Sequence, residues 1–328
     1  MIKINNTSTD PYFNMALDEY VTKNITSETI FYFYQNRPTV VVGRNQNTFE
    51  EVNLDFVKER GIEVVRRISG GGAVYHDFGN LNFTFVADAA DDVGFDFTRF
   101  TRPVIKALDK IGIKAEHTGR NDITIEGKKF SGNAQFRYKN RVMHHGTILF
   151  DVNIEDMVAA LNVSPDKIIS KGVQSVRSRV TNISEHLKSP ISLEEFKEIL
   201  TQTILEEEDF NQEYNLTEKD LKAINELRDN KFKTWEWVYG FSPAFNVQKK
   251  MRFDWGSIDI RLNVDKGTIK SCKIFGDFFA SRDIEDLEKS LTGILYREED
   301  IKEYLDRINI TDYIPRCSEE DFMKLLFK

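Results

Sequence analysis

Cysteine is almost missing from this chain: Cys272 and Cys317 are the only two in 328 residues. Two thiols cannot supply a disulfide framework at this length, and neither lies in a CxxC pair. The simplest inference is a cytoplasmic protein, in which the Asn-x-Ser/Thr matches such as Asn24-Ile25-Thr26 carry no meaning. Long apolar runs are missing too. None approaches the roughly 20 residues that span a bilayer, and the N-terminus shows no secretory signal pattern, so no membrane partner is expected. Basic charge is in deficit, with 45 Lys and Arg against 53 Asp and Glu and a formal net charge of −8. That argues against general nucleic-acid binding, which favours a basic domain, but leaves room for a local basic pocket. Standard nucleotide signatures are absent as well. There is no GxxxxGK[ST] and no GxGxxG after a strand, and the zinc motif HExxH is absent too. His76, His117, His144, His145 and His186 lack metal-ligand spacing, which makes a zinc site a poor fit.

What is present fits a soluble globular protein of two ordinary domains. Hydrophobic residues make up 40% and charged residues 30%, and 25 phenylalanines point to an aromatic core. Asp10-Pro11 predicts an N-cap with proline in the first turn, opening a helix to about Asn24. TIFYFYQ (29–35) and PTVVVG (38–43) read as strands, followed by a helix from Asn53 that ends at Gly61. Strands are expected over 62–67, 80–87 and 141–150, with a hairpin turning at Glu126-Gly127. Helices are expected near 100–111, 154–161, 193–208 and 217–229. After a break at 240–243, three strands form a meander with its turn at Asp265-Lys266-Gly267, and three short helices close the chain. Strands following strands favour a mixed or antiparallel sheet over a doubly wound one. The division predicted is an α+β domain over 1–240 with helices around its sheet, and a smaller α+β domain over 244–328.

Three clusters carry possible chemistry. In RRISGGGAVYHDFGN (66–80) a strand and two arginines meet three consecutive glycines. Glycines let backbone approach a ligand, their N–H groups can face an anion, and arginine offers a planar fork of donors to phosphate. A glycine-rich hairpin turn is the alternative. Arg66 and Arg67 face opposite ways on a strand, so only one should meet a phosphate. In TGRNDITIEGKKFSGNA (118–134) a hairpin lets Asp122 and Lys129 reach the same space, although a solvated lysine is the alternative. In MHHGTILF (143–150) packing explains most residues, and His145 or Thr147 could face a ligand.

Taken in order and spacing, these clusters resemble the signature segments of the lipoate–protein ligase A family, within the biotin/lipoyl protein ligase superfamily. SPAFN (242–246) and FGDFF (275–279) are similar to that family's accessory domain. The resemblance implies a catalytic domain of the biotin-ligase fold and a reaction in two steps. Free lipoic acid and ATP give lipoyl-adenylate and pyrophosphate. The lipoyl group then passes to a lysine of an acceptor, either a lipoyl domain of a 2-oxoacid dehydrogenase complex or the glycine cleavage H protein. It also implies roles for residues. Arg67 with Gly72, Ala73, Val74 and Tyr75 would bind ATP. Lys129 would bridge the lipoate carboxylate and the α-phosphate as the catalytic residue. Gly71, His76 and His145 would border the lipoate, and Mg²⁺ is expected, with Asp122 as a candidate ligand. A structural hydrogen-bonding role stays open for both histidines. The second domain is expected to rotate once adenylate has formed. Two rival readings are a cysteine-dependent octanoyl or lipoyl transferase, disfavoured because the first 271 residues hold no cysteine, and a non-catalytic lipoate carrier.

Overall fold

Asp10 opens the first helix as its type requires. Its carboxylate accepts the Tyr12 N–H at 3.0 Å and Pro11 takes the first helical position, giving α1 (Pro11–Asn24). The structure is a computed structural model and describes residues 1–25, 28–89, 96–119, 121–162, 179–207, 212–240 and 245–327. Arg120 and most of the expected break at 240–243 lie outside the described residues.

The strands are β1 (Ile2–Asn5), β2 (Ile30–Tyr34), β3 (Thr39–Val42), β4 (Glu63–Arg66), β5 (Val74–His76), β6 (Asn80–Asp88) and β7 (Glu116–Thr118). They continue with β8 (Asp122–Ile125), β9 (Lys128–Tyr138), β10 (Arg141–Leu149) and β11 (Gln212–Asn215). Among the described residues, eight of these form one sheet in the order β11-β1-β2-β6-β10-β9-β8-β7. β1 runs parallel to both β2 and β11, while the other neighbours are antiparallel, so the sheet is mixed. A second, three-stranded sheet has the order β4-β3-β5. Thus the expected strands of 29–35 and 38–43 are adjacent in sequence but lie in different sheets. The helices between are α2 (Thr48–Glu51), α3 (Leu54–Arg60), α4 (Thr98–Lys110), α5 (Ile154–Ala160), α6 (Leu193–Glu207), α7 (Glu218–Leu227) and α8 (Trp235–Val238). α3 ends at Gly61, whose φ of 63° is left-handed.

Helix α1 lies between the two sheets. Leu17 and Val21 share a buried cluster with Tyr32 and Tyr34 of the large sheet and with Val41 and Val65 of the small one. The opposite face of the large sheet is aromatic, with Phe31, Phe83, Phe85 and Phe130 packed under α4 and α6. At the β8–β9 turn Glu126 and Gly127 have φ of 51° and 76°, the paired positive values of a tight hairpin turn.

The C-terminal part has its own core. β12 (Val247–Phe253), β13 (Gly256–Asp265) and β14 (Thr268–Gly276) form an antiparallel meander. α9 (Ile284–Ser290), α10 (Glu298–Leu305) and α11 (Glu319–Phe327) cover it, burying Ile258, Ile260, Leu287, Ile301, Phe322 and Leu325 together. No helix among the described residues is long and apolar enough to cross a membrane.

Candidate active site

The glycine loop, residues 68–73, connects β4 to β5 and faces β9 and β10 across a cleft. The cleft has about 590 Å³ of space, open solvent at its mouth included. Arg67, Gly71, Gly72, Ala73, Val74 and His76 line it from the loop side. Lys129, Gly132, Asn133, His145 and Thr147 line it from the sheet, and Tyr34, Val41 and Met15 close its floor. The three sequence clusters, which lie up to 80 residues apart, therefore meet at one cavity.

Lys129 stands at the rim. Its ammonium is 2.7 Å from the Asp122 carboxylate, and the two side chains are 38% and 37% exposed. Phe130 is an extra residue in β9 that shifts the register there, so that Lys129 pairs with Thr124 instead of Ile125, while Asp122 pairs with Gly132. The Lys129 backbone is clamped separately, by its N–H to Arg179 and its carbonyl from Thr181.

The two arginines do face opposite ways, and both are buried. Arg66 donates to the carbonyls of Gly43, Arg44, Gln46, Trp237 and Val238 and to the Thr48 hydroxyl, at 2.7–3.1 Å. It is a brace away from the cleft. Arg67 lines the cleft, but its guanidinium also holds the glycine loop from within. It donates to the carbonyls of Gly70 (2.7 Å), Gly72 (2.8 Å) and Val41 (3.1 Å) and to Ser69 Oγ (3.1 Å). Burial pulls both guanidinium groups down to about 10, which leaves them charged at neutral pH.

His144 and His145 point to opposite faces, as alternation on β10 requires. His144 packs among Phe83, Phe97 and Phe100, and burial holds its imidazole well below the usual range. His145 turns to the cleft. His76 accepts the Asn36 amide at Nδ1 (3.0 Å), so its Nε2 carries the proton, and that N–H has no partner among the described residues. Burial, then Arg67 and His145, lower His76 to about 3, so it is a neutral donor. Tyr75 lies on the other side of β5, with its ring packed against Val40 and Val64 in the core.

Sequence reasoning passed over several cleft residues, among them Tyr34, Asn82, Asn121 and Asn133. It also passed over the contact made by the C-terminal part. The Gly71 N–H donates to the Phe278 carbonyl at 3.3 Å. The Phe279 ring lies 5.5 Å from that of Phe97 and would touch any Cβ at Gly71, where φ is +92°. Gly276 N–H to Asn45 (2.7 Å), Arg44 to Asp283 (3.2 Å) and an Arg261–Glu50 ion pair extend this seam. No three His, Cys, Asp or Glu side chains among the described residues gather as a metal site. Asp122 is a single carboxylate, and its oxygen is engaged by Lys129.

The mixed-sheet α+β domain, with its cleft between a glycine loop and a lysine-bearing hairpin, shares its fold with a ligase of known structure. Residues 10–205 match the family described as the lipoyl protein ligase A/B catalytic domain, and residues 242–326 match the bacterial lipoate protein ligase C-terminus. The chain belongs to the lipoate–protein ligase family. It is 46% identical to lipoate-protein ligase LplJ of Bacillus subtilis, over 97% of both chains. It is 45% identical to lipoate–protein ligase 1 of Staphylococcus aureus, over 98% of both. Among solved structures, LipL1 of P. falciparum in complex with lipoate matches 99% of this chain and 97% of its own, with a TM-score of 0.77 at 27% identity. Lipoate-protein ligase A bound with ATP matches 73% of this chain and 98% of its own, with a TM-score of 0.64 at 29% identity.

Proposed function

We propose that this chain activates free lipoate with ATP and transfers the lipoyl group to a lysine of an acceptor lipoyl domain. The observation that carries the reading is the position of Lys129. Its ammonium stands at the rim of a cleft whose opposite wall is a glycine loop braced by a buried arginine. In the first step the lipoate carboxylate attacks the α-phosphorus and pyrophosphate leaves. Two anions must approach, and the Lys129 ammonium offsets their repulsion and the charge that builds between them, so catalysis is mainly placement and electrostatics. In the second step the acceptor amine attacks the acyl carbonyl, AMP leaves, and the amine loses a proton as the amide forms.

The Gly72–Tyr75 backbone and Arg67 are assigned to the nucleotide. Gly71, His76 and His145 are assigned to the lipoyl group, with the unpartnered His76 Nε2–H as a donor to an acceptor atom on the ligand. The buried apolar floor suits the acyl chain at about 0.8 kcal/mol per methylene. Mg²⁺ fits here only as an ion held chiefly by the nucleotide phosphates, with Asp122 as its protein carboxylate. When bound it would neutralise phosphate charge. The catalytic unit is assigned to 1–240 and the accessory unit to 244–328. Acceptors are assigned among 2-oxoacid dehydrogenase lipoyl domains and glycine cleavage H protein, with the cytoplasm as the site of action.

Thioester chemistry is disfavoured by position. Cys272 and Cys317 are buried in the C-terminal core, where burial pushes the first thiol well above its usual range and the second up to about 12. The test is to incubate the protein with ATP, Mg²⁺, lipoate and apo acceptor domains, then weigh the acceptors and assay pyrophosphate. A lipoyl mass on one acceptor lysine together with pyrophosphate is expected. ATP-independent transfer would favour a transferase, and lipoate binding without pyrophosphate a carrier.

A further inference from the structure

Ser69, His145 and Asp18 form a serine–histidine–carboxylate line at hydrogen-bonding distances. Ser69 Oγ is 2.6 Å from His145 Nε2, and His145 Nδ1 is 2.8 Å from Asp18 Oδ2. On distances alone this is the arrangement of a nucleophile, its base and an orienting acid. Access rules out that use. Ser69 is 0% exposed and, like Asp18, is not part of the cleft wall, so no electrophile reaches its oxygen. That oxygen also accepts the Nε–H of Arg67 at 3.1 Å.

The protons in this line can be placed. A guanidinium only donates, so Ser69 Oγ accepts from Arg67, and a neutral imidazole with its one proton toward Asp18 accepts the Ser69 proton at Nε2. The carboxylate of Asp18 only accepts, so His145 carries its proton on Nδ1. Asp18 is 1% exposed, and its other oxygen accepts from Tyr32 (2.6 Å) and Thr84 (3.0 Å). Every donor in the chain Arg67 → Ser69 → His145 → Asp18 has one acceptor. A buried cation and a buried anion are joined through a hydroxyl and an imidazole, and the far end of the guanidinium holds the Gly70 and Gly72 carbonyls.

We propose that Asp18 and Ser69 are positioning residues: they fix the His145 tautomer and the Arg67 guanidinium, and through them the shape of the glycine loop that receives the nucleotide. The inference rests on the ligase reading above for the loop's ligand. Its consequence is specific. With asparagine at position 18, an amide N–H can meet His145 Nδ1 and favour the Nε2–H tautomer. Ser69 Oγ then accepts from both Arg67 and His145, its own proton loses the acceptor it had, and the Ser69–His145 bond reverses direction.

The test uses the full chain with Asp18→Asn and Ser69→Ala. Histidine ¹⁵N resonances report the tautomer, and ATP–Mg²⁺ affinity is measured by calorimetry beside the KM for ATP and for lipoate. Wild type should show Nδ1–H at His145, Asp18→Asn should show Nε2–H, and Ser69→Ala should keep Nδ1–H. Each variant should weaken ATP by about tenfold or more, the worth of one hydrogen bond to a charged group, while Ser69→Ala leaves the lipoate KM within about twofold. Should Asp18→Asn not fold, Ser69→Ala carries the test alone. An Nε2–H tautomer in wild type, or unchanged ATP affinity in Ser69→Ala, overturns the proposal. A wild type that releases no pyrophosphate overturns the ligase reading instead, and the tautomer measurement still decides the relay.

Discussion

A Cβ on Gly132 would lie 2.9 Å from both Cε and Nζ of Lys129, so the hydrogen at position 132 leaves the room the amine occupies. The obstacle is the far end of a flexible side chain, so Gly132→Ala should displace the ammonium rather than unfold the strand. The expected outcome is a thermal midpoint near that of wild type. Adenylate formation should fall by about 10²-fold, the cost of misplacing a reacting group by roughly 1 Å. Wild-type turnover in Gly132→Ala would mean that the Lys129 ammonium is not where it acts.

Lys129→Ala removes the same charge outright. Loss of one such stabilising group costs roughly 2.7–4 kcal/mol of barrier, or about 10²–10³ in rate. Pyrophosphate release with lipoate and ATP should fall by that factor. The circular dichroism spectrum should be unchanged, because the Lys129 side chain is partly exposed at the rim. Full activity in this variant would remove the assigned role.

The next prediction separates the two neighbouring arginines. Arg66→Met takes the guanidinium from five carbonyls and the Thr48 hydroxyl. The carbonyls of Gly43 and Val238 keep a second donor, from the Gln46 N–H and the Thr48 hydroxyl, while those of Arg44, Gln46 and Trp237 lose the side-chain donor. At about 1–3 kcal/mol for each group left unpaired, a loss of at least about 3 kcal/mol is expected after relaxation, read as a lower urea midpoint. Arg67→Met should also destabilise, and in addition should weaken ATP binding. A variant at Arg66 that is stable but unable to bind ATP would reverse the assignment.

How much of this was legible in the sequence follows from how local each cause is. The Asp10-Pro11 start of α1, the Gly61 stop of α3 and the Glu126-Gly127 turn are set by residues in contact along the chain, and all three form as expected. The glycine cluster and Lys129 were legible as motifs, and the cleft unites them. β1 and β11 went unread because each is four residues long and they pair with one another across some 210 positions. Asp18 went unread because an Asp-Glu pair inside a helix looks like a solvated face. Only the docked sheet shows three donors converging on its carboxylate. Arg66 and Arg67 were separable in principle by alternation, but the identity of the brace depends on carbonyls of 43–46 and 237–238 that no local pattern announces.

Acid should destabilise the fold through its buried histidines. His76 is lowered to about 3 by burial and the neighbouring Arg67 and His145, and His144 is lowered well below 6.5 chiefly by burial. Between the folded values and about 6.5 the unfolded chain binds more protons, so stability rises with pH across that window and is lost as pH falls through it. Each histidine contributes a slope of up to about 1.4 kcal/mol per pH unit. Urea titrations at pH 7 and 5.5 should show the loss, and His76→Gln should shrink it. An unchanged slope in His76→Gln would mean the imidazole is protonated in the folded chain.

The Gly71 N–H can serve one acceptor well, and in this structure it is directed at the Phe278 carbonyl. The acyl end of an adenylate drawn onto Gly71 competes for that donor and crowds the Phe279 ring, which packs on Gly71 and Phe97. Adenylate formation and the docking of the C-terminal domain therefore oppose each other at this seam, and we expect the domain to swing away once adenylate has formed. Small-angle scattering with lipoate, ATP and Mg²⁺ should show a larger radius of gyration than the protein alone. Phe279→Ala should enlarge the unliganded protein in the same direction, because truncating a buried phenylalanine removes about 3–5 kcal/mol of packing. Superimposable curves for all three samples would show that the loop can hold its ligand with the Phe278 contact in place.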